Sequence, residues 1–423
     1  MIFKPYWNSS VEENSKKLWL PTKEGINSLP SSAIRNTWFS SAISTYTSVS
    51  STSFTASETK IVRSRKVRVY LDANQKQIFA QWAGISRKCF NDSINYLKQE
   101  GTKAIKFLVK KKVIDELPEW ANSTPYQVKA TAVFDACKAI SNAKQKFRKE
   151  GKFQEVKFRS KRNPNQSIGI PKSAVKRNGV YVTLLGKIKF SEYVKEVKYD
   201  CRLVRESGRF YLVIPEDKNI STPDNQRNGI VALDPGIRTF QTFYSEQLVG
   251  EVGSKDIGRI NRLCYHLDRL MSKISQTKGK RKWRMRRAAS RLRFRIKNLI
   301  SEIHNKLALF LCKTFDYVVI PKFEVQQMAS KLNSSVARAM YTWSHYRFRM
   351  HLKSKCQQYS VAYIEQCEAY TSKTCSNCGK LHNIGNKKTL SCTCGCIIDR
   401  DINGARGIFL RALEDNPSLR LSS

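Results

Sequence analysis

The alternation of apolar and polar positions has a different period in different parts of the chain. Residues 1–60 show almost no period, and Ser40–Thr59 contains thirteen Ser or Thr in twenty positions, which is typical of a flexible extension. Beyond this stretch, alternation over Val67–Leu71 predicts a strand. We therefore expect regular structure to begin close to residue 61.

Helical spacing follows this strand, and short alternating stretches follow the helices. Apolar residues recur at helical intervals over Asn74–Leu97, and a second helix is predicted over Tyr126–Arg148. Short strands separated by Gly and Asn turns are predicted at Glu155–Phe158, Val180–Leu184, Lys187–Phe190 and Phe210–Ile214. This pattern predicts a small β-barrel from residues 61–72 and 150–222, with residues 73–149 as a helical insertion.

Beyond a predicted linker at residues 223–228, short apolar strands return between helices. Strands are predicted at Gly229–Leu233, Thr239–Tyr244, Tyr317–Ile320 and Val361–Glu365, with a long helix ending near Tyr359 and a last helix from Ile402. Such an order predicts an α/β sheet covered by helices. The predicted fold class is therefore multidomain α+β, with the barrel and its insertion preceding the α/β domain.

The net charge of the chain indicates which class of partner the protein binds. Its 423 residues include 76 Lys and Arg against 34 Asp and Glu, giving a formal net charge of +42 and a pI of about 10.0. Self-repulsion at this level is tolerated chiefly beside a polyanion, which favours nucleic acid over a membrane surface. Apolar stretches such as Leu307–Cys312 are too short to span a bilayer, and the start does not resemble a signal peptide.

The cysteines are of two kinds. Seven of the twelve are scattered singly, which fits a reducing compartment, whereas Cys375-x2-Cys378 and Cys392-x-Cys394 have the spacing of metal ligands. Four thiolates complete a tetrahedral zinc site with no open position, so the predicted role of the ion is structural. Cys396 is an alternative ligand to either member of the second pair, and chance clustering or a disulfide are the competing interpretations.

Three carboxylates occupy positions suited to metal-assisted hydrolysis of a phosphodiester. Asp234 ends an apolar strand, Glu324 follows the strand that includes Ile320, and Asp401 opens the last helix. Hydrolysis with two divalent ions needs several carboxylates that converge on ions roughly 3.5–4 Å apart. Singly, these residues would be read as a turn residue, a solvated loop residue and a helix N-cap, a role that Asp399 could also fill. Together they match the acidic layout of RNase H-like nucleases.

These residues lie in motifs that resemble the transposon-encoded TnpB family, whose relatives include compact type V CRISPR effectors and Fanzor proteins. The matching stretches are Ala232–Phe240, Val319–Glu324, Glu368–Gly379 and Asp399–Arg406. The resemblance implies that Asp234, Glu324 and Asp401 are catalytic acids that bind two Mg²⁺ ions. It also implies a guide RNA and a double-stranded DNA target with a flanking motif as partners, with one copy of the protein favoured over two.

The same resemblance implies a domain layout. It assigns 61–72 and 150–222 to a wedge domain, 73–149 to a recognition lobe, 229–371 and 399–414 to an RNase H-like (RuvC) nuclease domain, 372–398 to a zinc-binding, target-nucleic-acid-binding insertion, and 415–423 to a tail. The implied activity is that of an RNA-guided, metal-dependent DNA endonuclease. Alternatives are an RNA-guided repressor, a compact CRISPR effector, an unguided RuvC-like resolvase and the transposase itself. The implied location is the cytoplasm and nucleoid of a prokaryote.

A stretch of unopposed positive charge provides a candidate nucleic-acid surface. Lys278–Lys297 contains eleven Lys or Arg and no acid, which favours contact with a guide or heteroduplex over a merely solvated face. Trp343, Tyr346 and Phe348 alternate with arginines and are candidates either for stacking on bases or for the core. The predicted nucleic-acid contacts are Lys278, Lys280, Arg281, Lys282, Arg284, Arg286, Arg287, Arg291, Arg293, Arg295, Arg347, Arg349 and Arg400.

Overall fold

The computed structural model describes the chain in two compact units, Lys60–Lys218 and the part from Asn219 onward. The described residues are 60–151, 153–220, 227–323, 325, 328, 334–367, 371–385, 387–417 and 419. Residues 1–59 of the predicted extension and most of the predicted linker therefore lie outside them. No helix in these ranges is long and apolar enough to cross a membrane.

The first unit combines a five-stranded sheet with three longer helices. Its elements are β1 (Lys60–Tyr70), α1 (Ala73–Leu97), α2 (Lys106–Asp115), α3 (Tyr126–Glu150), β2 (Asn165–Ile170), β3 (Val175–Lys176), β4 (Gly179–Val180), α4 (Val182–Leu185), β5 (Lys189–Phe190), β6 (Cys201–Glu206) and β7 (Arg209–Asn219). A capping box starts α1, because the side chains of Asp72 and Gln75 each accept from the other's backbone N–H. Gly151, with φ 67°, ends α3 in the left-handed conformation.

The sheet of the first unit is open. Its order is β2-β6-β7-β1-β5, and Phe79 and Trp82 of α1 pack on it in a core with Val67, Val69 and Leu203. The described pairings leave β2 and β5 at the two edges, so the described residues form an open sheet where the sequence predicted a closed barrel. The helical insertion predicted for residues 73–149 is present as α1, α2 and α3.

Two predicted strands of this unit were wrong. Glu155–Phe158 forms no strand, and at the next residue, Arg159, the Asn91 amide of α1 bonds both the backbone N–H and the C=O. Val180–Leu184 stops being a strand at Tyr181, whose φ of 45° turns the chain into the single helical turn α4. Two strands that the pattern did not predict, β2 and β6, pair with each other.

The second unit is a five-stranded mixed sheet between helices. Its elements are β8 (Ile230–Pro235), β9 (Gln241–Tyr244), β10 (Val249–Val252), α5 (Ile257–Gln276), α6 (Gly279–Thr314), β11 (Tyr317–Pro321), α7 (Ser334–Trp343), α8 (His345–Tyr359), β12 (Ala362–Gln366), β13 (Thr389–Ser391), β14 (Ile397–Asp399) and α9 (Arg400–Asp415). The sheet order is β10-β9-β8-β11-β12, where β8, β9 and β10 are antiparallel neighbours and β11 runs parallel to both β8 and β12. The predicted α/β character is thus present.

Each face of this sheet is covered by different helices. One face packs against α5, α6 and α8 through a core that includes Phe240, Leu311 and Phe348. The other face packs against α9, where Phe409 contacts Tyr244 with ring centroids 5.4 Å apart. The long helix predicted to end near Tyr359 is divided into α7 and α8, because Ser344 adopts a left-handed φ of 55°.

Candidate active site and metal centre

Asp234 lies at the carboxyl end of the central strand β8 and faces α9. It is half-buried, and a Cβ added to Gly404 of α9 would lie 3.2 Å from Asp234 Cγ and overlap Oδ2. The glycine therefore allows the helix backbone to approach the carboxylate closely. Asp401 precedes Gly404 by three residues, and residues at that spacing share a helix face. The approach of Asp234 to Gly404 therefore places the carboxyl end of β8 against the helix face that carries Asp401.

The start of α9 is itself acidic. Asp399 is the N-cap and accepts a hydrogen bond from the Asp401 N–H at 2.8 Å, while Lys388 Nζ lies 3.5 Å from Asp399 Oδ2. Burial and then the Asp399 charge raise the pKa of Asp401, although Arg400, Lys388 and Arg238 oppose this. A raised carboxylate pKa indicates negative charge crowded into a partly desolvated site, which a cation would relieve.

The third predicted acid, Glu324, lies outside the described residues. The strand that leads to it, β11, is the parallel neighbour of β8, with Val319 paired to Ala232. Parallel strands end at the same edge of a sheet, so the chain leaves β11 at Pro321 on the edge that carries Asp234. The Phe323 N–H bonds the Pro321 carbonyl at 2.9 Å and turns the chain immediately after the strand.

Glu251 is an acidic neighbour that the sequence pattern did not indicate. The sheet register pairs Asp234 with Thr242 and Thr242 with Glu251, so the three residues form one row on the face that α9 covers. Glu251 is open to solvent on one side, yet partial burial raises its pKa, and Asp399 and Asp401 raise it further against Lys388. No local signal would have identified this residue, because its position depends on the pairing of three strands.

The structure gathers Cys375, Cys378, Cys392 and Cys394, whose ligand atoms all lie within 4.8 Å of one another. The Cys375–Cys394 and Cys378–Cys392 sulfurs are 3.8 Å and 3.4 Å apart. A tetrahedral ion with Zn–S bonds of about 2.3 Å spaces its sulfurs about 3.8 Å apart, so this set of donors fits zinc. Cys396, the alternative in the sequence, lies outside the group of four.

The surroundings act differently on the individual thiols. Burial raises the pKa of Cys375 to about 11 and that of Cys378 to about 12, whereas, against burial, hydrogen bonds from the Asn377 side chain and the Cys396 backbone lower the pKa of Cys394 to about 6. A thiolate is the form that binds a metal. His382 Nε2 lies 3.1 Å from Cys392 Sγ, a contact that no spacing rule predicted. Asn403 of α9 ties this loop to the helix, since its side chain accepts from the Ser376 N–H and donates to the Thr374 carbonyl.

The basic stretch forms the first half of the single helix α6. Arg284, Arg286 and Arg291 are exposed, and the Arg287 guanidinium lies 4.7 Å from the centre of the exposed Trp283 ring. An arginine held over an exposed ring offers both charge and a flat stacking surface. This half of the helix can therefore contact a phosphate backbone.

Several other residues that were considered for nucleic-acid contact are buried or contact other groups of the protein. Trp343 and Phe348 are fully buried and belong to the core, so the stacking role considered for them was wrong, whereas Tyr346 is exposed. Arg400 donates to the Gly385 carbonyl at 2.9 Å. Arg349 is half-buried and lines the end of the sheet, whereas Arg347 is exposed and bonds Ser301 Oγ at 3.2 Å.

Two family models match parts of the chain. A Cas12f1-like TNB domain matches residues 345–408, a range that contains α8, the four clustered cysteines and the first half of α9. A helix-turn-helix domain matches residues 61–104, which form β1 and α1 here. The two matches therefore fall in different compact units.

Three relatives align with most of the chain. The putative transposase A625R of Paramecium bursaria Chlorella virus 1 is 28% identical over 390 residues, covering 86% of this chain and 89% of the relative. The TnpB-like protein L770 of Acanthamoeba polyphaga mimivirus is 26% identical, with coverages of 82% and 73%. The putative RNA-guided DNA endonuclease InsQ of Escherichia coli (strain K12) is 24% identical, with coverages of 78% and 87%. Over most of its length the chain is therefore similar to proteins named as TnpB-like and as a putative RNA-guided DNA endonuclease, and two of its segments match domain models.

Proposed function

We propose that this protein is an RNA-guided DNA endonuclease that cuts DNA by two-metal hydrolysis. The observation that carries the proposal is the approach of the Asp234 carboxylate to Gly404, one turn beyond Asp401. Asp234 at the end of a central strand and Asp401 on the facing helix, beside the chain that leads to Glu324, would supply the oxygen ligands that Mg²⁺ prefers. The name of the InsQ relative supports the guided form of this activity.

In the proposed reaction, Asp234, Glu324 and Asp401 hold the ions and no protein side chain acts as nucleophile. Two Mg²⁺ ions held there would supply Lewis acidity that activates a water and stabilises the leaving oxygen. Asp399 fixes the first turn of α9 by capping it, and it thereby orients Asp401. The zinc site at the four cysteines holds the loop before α9 and takes no part in the chemistry.

The partners follow from the surface and the family. The exposed arginines of α6 are proposed to bind the guide RNA or the guide–target duplex, and base pairing by the guide selects the target. The open sheet and helices of the first unit are proposed as the wedge and recognition lobe that read a short flanking motif. We propose that one copy assembles on one guide. The relatives come from two viruses and a bacterium, so a prokaryotic location stays a prediction.

The experiment is to express the protein with its flanking genomic DNA, sequence the RNA that copurifies, and challenge the complex with a target library that carries randomised flanks. We expect one discrete RNA and Mg²⁺-dependent cleavage that requires both guide match and flank. Asp234→Asn and Asp401→Asn should each abolish cleavage while the copurifying RNA is retained. Guided binding without cleavage by the wild-type complex would instead identify a repressor, and cleavage that ignores the guide would identify a resolvase.

A further inference from the structure

A buried polar group lies under the acidic edge of the sheet, on the face opposite α9. Gln241 and His345 are 1% and 3% exposed, and Gln241 Nε2 lies 3.5 Å from His345 Nδ1. Gln241 is paired with Pro235 in the sheet, directly after Asp234. Together with Arg349 these side chains line a small cavity whose walls include Pro321 and Phe323.

His345 contacts the turns that follow both β8 and β11. Its ring lies 4.8 Å from the Phe323 ring, which follows β11, in an edge-on arrangement. In the turn after β8, the Gly236 backbone forms a hydrogen bond that raises the pKa of the imidazole. Phe240 stacks on the same imidazole at 5.3 Å. Burial lowers the pKa of His345 to about 3, so the ring is neutral at physiological pH and acts through shape and hydrogen bonding.

These side chains are not arranged for maximal stability. Gln241 Oε1 and two guanidinium nitrogens of Arg349 are buried without a hydrogen-bond partner within the described ranges. Buried polar atoms in this condition lower stability, and apolar side chains of similar shape would avoid the loss. A group that is costly to the fold and touches both turns is expected to serve the site.

We propose that His345 and Gln241 are positioning residues, which set the spacing between the turn after Asp234 and the turn after β11. The inference rests on the proposed nuclease activity, because a change in this spacing would alter how the acids at this edge of the sheet bind divalent ions. Metal-dependent cleavage depends steeply on such spacing, since a shift of about 1 Å in a reacting group can lower a rate about 100-fold.

The test is the double variant Gln241→Met/His345→Phe, which removes the polar atoms and keeps side chains of similar shape. Cleavage is measured over a Mg²⁺ titration with the assembled guide complex, and stability is measured by thermal unfolding of the full chain. We expect unfolding at the same or a higher temperature, target binding without divalent ions unchanged, and a Mg²⁺ concentration for half-maximal cleavage about tenfold higher. Gln241→Met alone provides the same comparison if the double variant does not fold.

His304→Phe is the matched control. His304 is 2% exposed in the same core, but it bonds the Trp343 carbonyl at 2.9 Å and does not line the cavity. Its variant should lose stability and keep the wild-type Mg²⁺ requirement. An unchanged Mg²⁺ requirement in the double variant, at any stability, would overturn the inference while leaving the nuclease proposal intact. Absence of Mg²⁺-dependent cleavage by the wild type would instead refute the proposed function.

Discussion

Among single residues, Gly404 is important to the site because glycine has no Cβ. Gly404 lies inside α9, where alanine would normally be more favourable by about 0.5–1 kcal/mol. The Asp234 carboxylate occupies the place that an alanine Cβ would take. Glycine at this position therefore lowers helix propensity but leaves room for the Asp234 carboxylate.

We expect Gly404→Ala to displace the Asp234 carboxylate and lower the cleavage rate by about 100-fold. The copurifying RNA should be retained, because the change is remote from the exposed face of α6. Gly258→Ala is the matched control, since Gly258 is also helical and its Cβ would meet no atom within 4 Å. Cleavage rates of the two assembled complexes check the prediction; equal losses in both would contradict it.

His304 makes stability depend on pH. Burial lowers its pKa from 6.5 to about 4, so the unfolded chain binds a proton that the folded chain does not over this range. Because the pKa of His304 is lowered in the folded protein, its contribution to stability is complete at pH values above the pKa of the unfolded chain. That contribution is lost as the pH falls toward the pKa of the folded protein. The loss amounts to about 1.4 kcal/mol per pH unit for one histidine.

The measurement is urea unfolding of the wild type and His304→Gln at pH values from 7.5 to 4.5. We expect the stability difference between them to shrink as pH falls below about 6.5. Because both proteins carry the same cysteines and carboxylates, proton uptake at those groups cancels in the comparison. A difference that stays constant over this range would show that His304 titrates normally.

Among the elements, the cysteine loop has little core of its own and is expected to depend on an ion. β13 and β14 pair over only three residues each, and Thr374 and Leu381 form an isolated bridge. Few buried apolar residues support this loop, among them Ile384 and Leu390. A short hairpin with so small a core is marginal alone, so metal binding is expected to supply its order.

Metal analysis of single variants separates the candidate ligands. The wild type should bind one Zn²⁺ per chain, Cys392→Ser and Cys394→Ser should lose it, and Cys396→Ser should keep it. Cleavage should fall in the variants that lose zinc, because the loop is bonded to α9 through Asn403. Loss of zinc from Cys396→Ser with retention in Cys392→Ser would reverse the assignment.

The elements of the second unit were predicted better than those of the first. The strands at Gly229–Leu233, Tyr317–Ile320 and Val361–Glu365 are continuous apolar runs in a sheet buried on both faces, which is a strong local signal. In the first unit, Glu155–Phe158 alternates like a strand but forms none, and the next residue, Arg159, has its backbone bonded by the Asn91 side chain. A contact with a distant helix, which the local pattern does not show, anchors the chain there.

At the scale of the whole molecule, an excess of positive charge must be balanced by a partner. The formal charge of +42 includes the arginines exposed along the first half of α6. Counterion release on binding a polyanion makes affinity fall with salt in proportion to the number of phosphates neutralised.

The dependence of guide RNA affinity on salt concentration should show which arginines contact phosphates. We expect Arg291→Gln to reduce the log–log salt slope by about 0.7, and Arg284→Gln/Arg291→Gln/Arg295→Gln to reduce it by about 2. Lys306→Gln is the control, because Lys306 lies on the same helix but pairs with Glu302 at 2.9 Å. A slope that is unchanged in the triple variant would exclude this face as the RNA surface.

Features that depend on neighbours along the chain could be predicted from the residues alone: apolar periods, acids at strand ends, cysteine spacing and the basic half of α6. Which distant residues meet depends on how the elements pack. Sheet order and register place Asp234 against Gly404, align it with Glu251 and bring Gln241 to His345. These contacts arise from the packing of whole elements, and a one-residue change in register would move each side chain to the opposite face.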